Sequence, residues 1–236
     1  MIGDGWSMEL LDRTPTGWGG RFYGAYPGLV TDVMDPDGQG RVKVHLPWTP
    51  DPGGAEYAVW ARLATMMAGK NRGSWFIPDV GDEVLVIFAG GDPRHPFVIG
   101  AMWNGQDTPP QSMDAQNSIK KLRSRNGVQI TLDDTNGQEK MVLETPGGQK
   151  ITLKDGPGAV EIVDANGNSV KLEAAGITIT SSARITVNAG AMVEVSASMV
   201  KVSAAMSQFS GVVQCDTLIT NSVVSASYTP GAGNVW

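Results

Sequence analysis

Apolar and polar residues alternate in short runs along most of the chain, and few stretches show the three-to-four spacing of an amphipathic helix. Between residues 25 and 105 five such runs stand out: AYPGLVTDVM from Ala25, RVKVHLPW from Arg41, AVWARLATMM from Ala58, DEVLVIFAG from Asp82 and PFVIGAMW from Pro96. The separators DPDGQG, TPDPGG, AGKNRG and GGDPRH are turn formers. Five short strands with no helix of three turns predict a small closed barrel, with a Greek-key OB barrel as the leading arrangement. Closure removes the exposed edges that such strands would otherwise carry.

Beyond residue 120 the pattern becomes repetitive. RNGVQITLDD, PGGQKITLKD and ANGNSVKLEA, starting at Arg125, Pro146 and Ala165, each place a glycine-containing turn before an alternating strand. A period of roughly twenty residues with one grammar predicts stacked or meandering β-structure. From Ala174 the period tightens, and the apolar pairs Ile177/Ile179, Ile185/Val187, Val193/Val195 and Val200/Val202 follow one another at steps of eight, eight and seven. The residue inside each pair (Thr178, Thr186, Glu194 or Lys201) points to the opposite face.

One chain therefore presents a stripe too narrow for a core. A single-chain solenoid uses a coil of roughly 20 residues or more, whereas eight residues supply one side only. Three copies winding together supply all three sides, so these eight Ile and Val residues are predicted to line the threefold axis of an obligate trimer. The only charged residues after Ala174 are Arg184, Glu194, Lys201 and Asp216, which suits a slender, smooth rod. The expected order is a docking arm over 1–24 with a short helical possibility at SMELLDR, a barrel over 25–105, a linker over 106–120, a strand transition over 121–173, and a needle and tip over 174–236.

Composition narrows the chemistry. A net charge of −6 over 236 residues argues against nucleic acid as the main partner. The lone Cys215 permits no intrachain disulfide and reads as a small buried hydrophobe; His45 and His95 give no zinc spacing and read as surface or strand-end residues. The first residues lack a basic segment followed by an apolar core, so no secretory signal is expected, and no run of about 18 apolar residues occurs. DPDGQG superficially has the form of a calcium loop, but its twelfth position is Leu46 rather than Glu, which favours a plain turn. Asp82, Glu83 and Asp92 lie at strand starts and turns without the fixed separation that glycoside cleavage needs. Trp48, Trp60, Trp75 and Trp103 with Arg41, Lys70 and Arg72 could line a single-strand groove. The preferred reading gives Trp60, Trp75, Phe76 and Trp103 to barrel packing or subunit contact, with the loop Met66 to Pro78 as a contact surface. Gly73, Gly81, Gly91 and Gly100 are assigned to barrel turns and close approaches.

The segments GLVTDVMDPDGQGRVKVHLPW and VWARLATMMAGKNRGSWFIPDVGDEVLVIFAGGDPRHPFVIGAMWNG closely resemble the OB-fold domain of the phage baseplate assembly protein V family, shared with the VgrG-like central spikes of contractile injection systems. The repeats beyond resemble the triple-stranded β-helix of those spikes. The resemblance implies an all-β protein, an OB barrel followed by a trimeric intertwined β-helix needle, acting as a homotrimeric spike that punctures the target envelope when a sheath contracts. It implies a separate hub or tube-initiator protein, other baseplate proteins, a separate PAAR-like tip protein or a blunt end at Trp236, and transient contact with the target membrane. No cofactor, metal, catalysis or specific nucleic acid is expected. The setting implied is a virion baseplate or injection particle, made in the cytoplasm without a signal peptide and driven into the target envelope. The alternatives are a trimeric tailspike-like polysaccharide depolymerase and an OB-fold nucleic-acid binder.

Overall fold

The computed structural model of the protein describes residues 20–49, 57–156 and 160–227. The helical possibility at SMELLDR, most of the expected docking arm and Trp236 lie outside these residues. The chain divides into two units, one ending at Arg184 and one beginning at Ile185.

The first unit contains the expected barrel. Its strands are β1 (Tyr26–Asp32), β2 (Val42–His45), β3 (Ala58–Leu63), β6 (Glu83–Phe88) and β7 (Pro96–Ala101), with a small hairpin, β4 (Ala68–Gly69) and β5 (Arg72–Gly73), between β3 and β6. The barrel closes in the order β1-β2-β3-β7-β6, with β6 returning to β1. All its pairings are antiparallel except β3 with β7, where Arg62 faces Phe97 and Leu63 faces Val98. This is the five-stranded Greek-key closure of an OB fold.

Strand alternation fills the interior. Val42 and Val44 from β2, Val84, Val86 and Phe88 from β6, Val30, Ala61, Leu46 and Val98 form the buried core. Phe22 also belongs to this core, although the sequence pattern places it in the arm. Its backbone N–H donates to Gly91 O at 2.8 Å, so the segment before β1 is tied across the barrel. Phe22, Tyr26, Trp48 and Phe88 form an aromatic cluster, with Tyr26 and Trp48 stacked at 4.5 Å. Trp48 Nε1 donates to Pro27 O at 2.7 Å, satisfying its polar atom.

DPDGQG is held as a turn by an ion pair. Asp35 accepts from the backbone N–H groups of Asp37, Gln39 and Arg41 and from the Arg41 guanidinium at 2.6 Å, leaving its carboxylate fully engaged. The Arg41 hydrogen bond holds the Asp35 carboxyl well below the ordinary carboxylate range, against an opposing desolvation cost. Asp92 beside Arg94 is displaced in the same direction, and Asp164, bonded by Asn168, is lowered to about 2. Groups with lowered folded pKa contribute stability that is complete above their unfolded value near about 4 and is lost as pH falls through the folded value. Thermal melts should accordingly be flat from about pH 7 to about pH 5 and decline below about pH 4. Arg41→Gln should make the acid decline shallower; an unchanged acid limb would remove this role for Asp35.

After the barrel come β8 (Ile119–Arg123), β9 (Gln129–Asp133), β10 (Lys140–Glu144), β11 (Lys150–Lys154), β12 (Val160–Val163), β13 (Ser169–Glu173) and β14 (Gly176–Thr180). They form one antiparallel sheet in sequence order, the meander the repeats predict. The twenty-residue period is a hairpin, two strands long. The strand pattern begins at Ile119, inside the expected linker, and β14 joins the meander although its Ile pair was assigned to the needle.

The second unit is extended, and among its described residues it forms no helix or strand within the chain. Counting from the one at Ser182–Ala183, its path is marked by backbone bends at Gly190–Ala191, Ser198, Ala205, Gly211, Asp216, Asn221 and Ala226. Measured from the last residue of each bend, successive intervals are eight, seven, seven, six, five, five and five residues.

Candidate assembly interface

The register of the meander aligns its apolar residues into two rows. One runs Leu132, Met141, Leu153, Val160, Leu172, Ile177, continued on β8 by Lys120. The other runs Leu122, Ile130, Leu143, Ile151, Ile162, Val170, Ile179. Both rows lie on one face because they are two residues apart on every strand. Apart from Lys120 the face is wholly apolar, and six strand spacings make it roughly 29 Å long. Within the single chain it is open: Leu122, Leu132, Ile162 and Ile179 are all exposed. An apolar strip of this extent marks a surface that another chain covers.

The opposite face is mainly polar and partly paired, with Ile119, Val142 and Val163 as its apolar members and Val142 buried. Lys140 meets Asp133 at 3.2 Å and Lys171 meets Glu161 at 2.8 Å, each directly across neighbouring strands. Gln129 Nε2 donates to Glu144 Oε2 at 2.9 Å.

The same two-residue pairing continues past β14. Ile185, Val193 and Val200 stand two residues after successive bends, and Val187, Val195 and Val202 stand four after. All six are exposed, as are Ile177 and Ile179 on β14. The frame also continues where the repeat loses its sequence signal: Val213, Leu218 and Val223 occupy the second place and Phe209 and Cys215 the fourth. No backbone-to-backbone hydrogen bond is formed within the chain among residues 185–227. Extended backbone in that state requires partners from other strands or water.

The barrel carries a second open surface. Trp75, Phe76, Met66 and Met67 are exposed around the β4–β5 hairpin, beside a cleft of about 670 Å³ reached by Leu63, Gly40 and Arg72. Trp103, after β7, is likewise exposed, whereas Trp60 is half-buried with the Arg41 guanidinium 5.8 Å from its ring centroid. Arg125 Nη1 bonds Asp79 Oδ1 at 2.8 Å, linking the loop before β6 to the β8–β9 turn.

Gly73 closes the hairpin at φ +154°, where a Cβ would stand 2.6 Å from Met67 O. Gly91 has φ +76°, which strains any side chain, and a Cβ there would press on Arg21, Phe22 and Tyr23 at 3.1–3.2 Å, in the segment that carries Phe22. Gly81 lies in the turn before β6; Gly100 lies within β7 opposite Leu85, beside a register shift that skips Ile99 of β7, rather than in a turn.

The acidic residues weighed for catalysis are occupied locally. Glu83 accepts from Asn104, Asp82 from the Asp79 N–H, and Asp92 pairs with Arg94 at 2.7 Å. Among the described residues no three His, Cys, Asp or Glu side chains are placed to hold a metal ion, and no helix is long and apolar enough to cross a membrane.

Comparison with known proteins agrees with this division. Residues 26–103 match the type VI secretion system/phage-baseplate injector OB domain, and residues 140–207 match the phage baseplate V C-terminal trimerisation domain. The second match spans β10 to β14 and the following residues as far as Ser207. Relatives include the type VI secretion system spike protein VgrG1b of Pseudomonas aeruginosa, 34% identical over 50% of this chain and 17% of that protein. VgrG3 of Vibrio cholerae, also a type VI secretion system spike protein, is 31% identical over 49% of this chain and 13% of that protein. The actin cross-linking toxin VgrG1 of Vibrio cholerae is 30% identical over 49% of this chain and 12% of that protein. The matches therefore cover under a fifth of each relative's length. With its barrel matched by the injector OB domain and its repeat region by the C-terminal trimerisation domain, in that order, the chain belongs to the phage baseplate V family.

Proposed function

We propose that the chain is the central spike of a contractile injection machine: a homotrimer whose OB barrels form a collar and whose repeat region forms a rigid, intertwined β-helical needle. The observation that carries this reading is the apolar strip of the meander, continued as a two-residue stripe along a backbone with no hydrogen-bonded partner of its own. Three copies brought together by their strips bury the stripe and supply the missing ladder in one step. Ile177, Ile179, Ile185, Val187, Val193, Val195, Val200 and Val202 are the axis residues of this assembly.

The role is mechanical, and stiffness takes the place of catalysis. Trp75, Phe76 and Trp103 are assigned to contacts between neighbouring barrels, with Trp60 as packing. The barrels dock on a hub or tube-initiator protein within the baseplate, a PAAR-like tip protein caps the needle, and sheath contraction drives it into the target envelope.

Light scattering on the purified chain, combined with negative-stain microscopy, tests this directly. A mass of three chains with a thin protrusion is the expected result; a compact monomer would remove the burial argument.

A further inference from the structure

The apolar strip of the meander is flanked by two unlike margins. By strand alternation Asp134, Glu139 and Asp155 continue its face at one end of the strands, two residues beyond Leu132, Met141 and Leu153. The ladder extends to them, with Asp134 N–H donating to Ser118 O at 2.9 Å and Asp155 N–H to Glu139 O at 3.0 Å. Val128, Thr145 and Gln149 continue the face at the other end, two residues beyond Ile130, Leu143 and Ile151. Arg123 and Lys150 stand beside them on the outer face, with stems long enough to turn the corner.

The margins are complementary in charge and in shape. Asp133 is taken by Lys140, Arg125 by Asp79 and Glu144 by Gln129. Asp134, Asp155, Arg123 and Lys150 take part in none of the ion pairs among the described residues. One margin thus keeps free carboxylates and the other free cations. The acidic margin also holds a cleft of about 500 Å³, floored by Leu132, Met141 and Leu153 and walled by Asp134, Glu139 and Asp155. The basic margin projects Val128, 51% exposed, and Pro146, whose Cγ lies 3.4 Å from where a Cβ at Gly127 would stand.

A threefold axis fixes which margins meet. Rotation by 120° about an axis along the rows carries each sheet to the next without changing its height, so unlike margins meet and like margins never do. At the height of β11, Lys150 of one copy then faces Asp155 of the next. Arg123 on β8 stands one strand spacing, about 4.8 Å, from the height of Asp134 at the end of β9. Val128, before β9, and Pro146, between β10 and β11, lie at the heights that the cleft spans. A strip of Ile, Leu and Val fits any similar strip, whereas charge placed at fixed heights rejects a wrong partner or a shifted one.

We propose that the acidic margin of each copy receives the basic margin of the next copy of this chain, with Val128 and Pro146 seated in the cleft and Arg123 and Lys150 paired to Asp134 and Asp155. The assignment rests on the trimer of the spike reading and adds the contact that closes its corners and selects its partner.

The test uses the full chain with Cys215→Ser and a bismaleimide too short to span one strand, about 17 Å. Lys150→Cys/Asp155→Cys should give a covalently closed band of three chains on a denaturing gel, and either single cysteine variant only one chain. A two-chain band from a single variant would overturn the proposal by showing like margins in contact, and so would a one-chain band from the double variant. Charge reversal gives a second reading. Asp134→Lys/Asp155→Lys should lower the urea concentration at which the trimer mass is lost by about 1 M, and adding Arg123→Glu/Lys150→Glu to the same chain should restore it. A combined variant no more stable than the first would overturn the pairing. Light scattering before linking separates the two readings: a trimer that does not link refutes the corner contact alone, and a monomer refutes the spike.

Discussion

Ile162→Asp should reduce the particle from three chains to one. Ile162 lies in the second row of the apolar strip, between Ile151 and Val170, and has no polar partner on that face. In the assembled spike each copy would hold an unpaired carboxylate in an apolar interior, at a cost of about 3–5 kcal/mol per protomer. Summed over three protomers, this is comparable with the whole stability of an ordinary domain. Thr131→Asp, on the polar face beside Lys121 and Val142, should change stability by less than about 0.5 kcal/mol and leave the mass unchanged. Light scattering on the two variants decides the matter, and an intact Ile162→Asp trimer would place the interface elsewhere.

Leu46→Ala should strike the barrel and spare the assembly. Leu46 is fully buried and its N–H donates to Tyr57 O at 3.2 Å. A Cβ added at Gly28 would sit 3.3 Å from its Cδ2, which shows how closely β1 approaches it. Truncation leaves a cavity that neighbouring backbone cannot fill, costing about 2–5 kcal/mol. Urea unfolding followed through the barrel tryptophans should show an earlier first transition, with trimer mass retained because the strip belongs to another sheet. A loss below about 1 kcal/mol would mean that the barrel interior collapses around the gap.

The five barrel strands were legible because alternation and turn chemistry agree at each of them. Phe22 was not, since it enters the core from outside any strand and is positioned by one hydrogen bond to Gly91. Trp48 reads from the sequence as a groove aromatic, but it follows the end of β2 and packs against the core through its stacking with Tyr26. The glycine turns of the meander announced β9, β11 and β13; β10 and β12 follow Asn136-Gly137 and Asp155-Gly156, turn signals of the same kind. Their pairs Met141/Leu143 and Val160/Ile162 have the same two-residue spacing as Ile177/Ile179, which was the available signal for the full strip. The frame of bends past Gln208 was hidden because its interval shortens, and a fixed-period reading loses register where bends draw closer.

That shortening has a mechanical meaning. If each interval is one side of a three-sided rod, the side falls from about 26 Å at eight residues to about 17 Å at five, and the cross-section to about two-fifths. Averaged micrographs showing constant width would contradict this. For a given axial force, the narrower section delivers about two and a half times the stress to whatever it meets, so the chain concentrates load simply by spending fewer residues on each side.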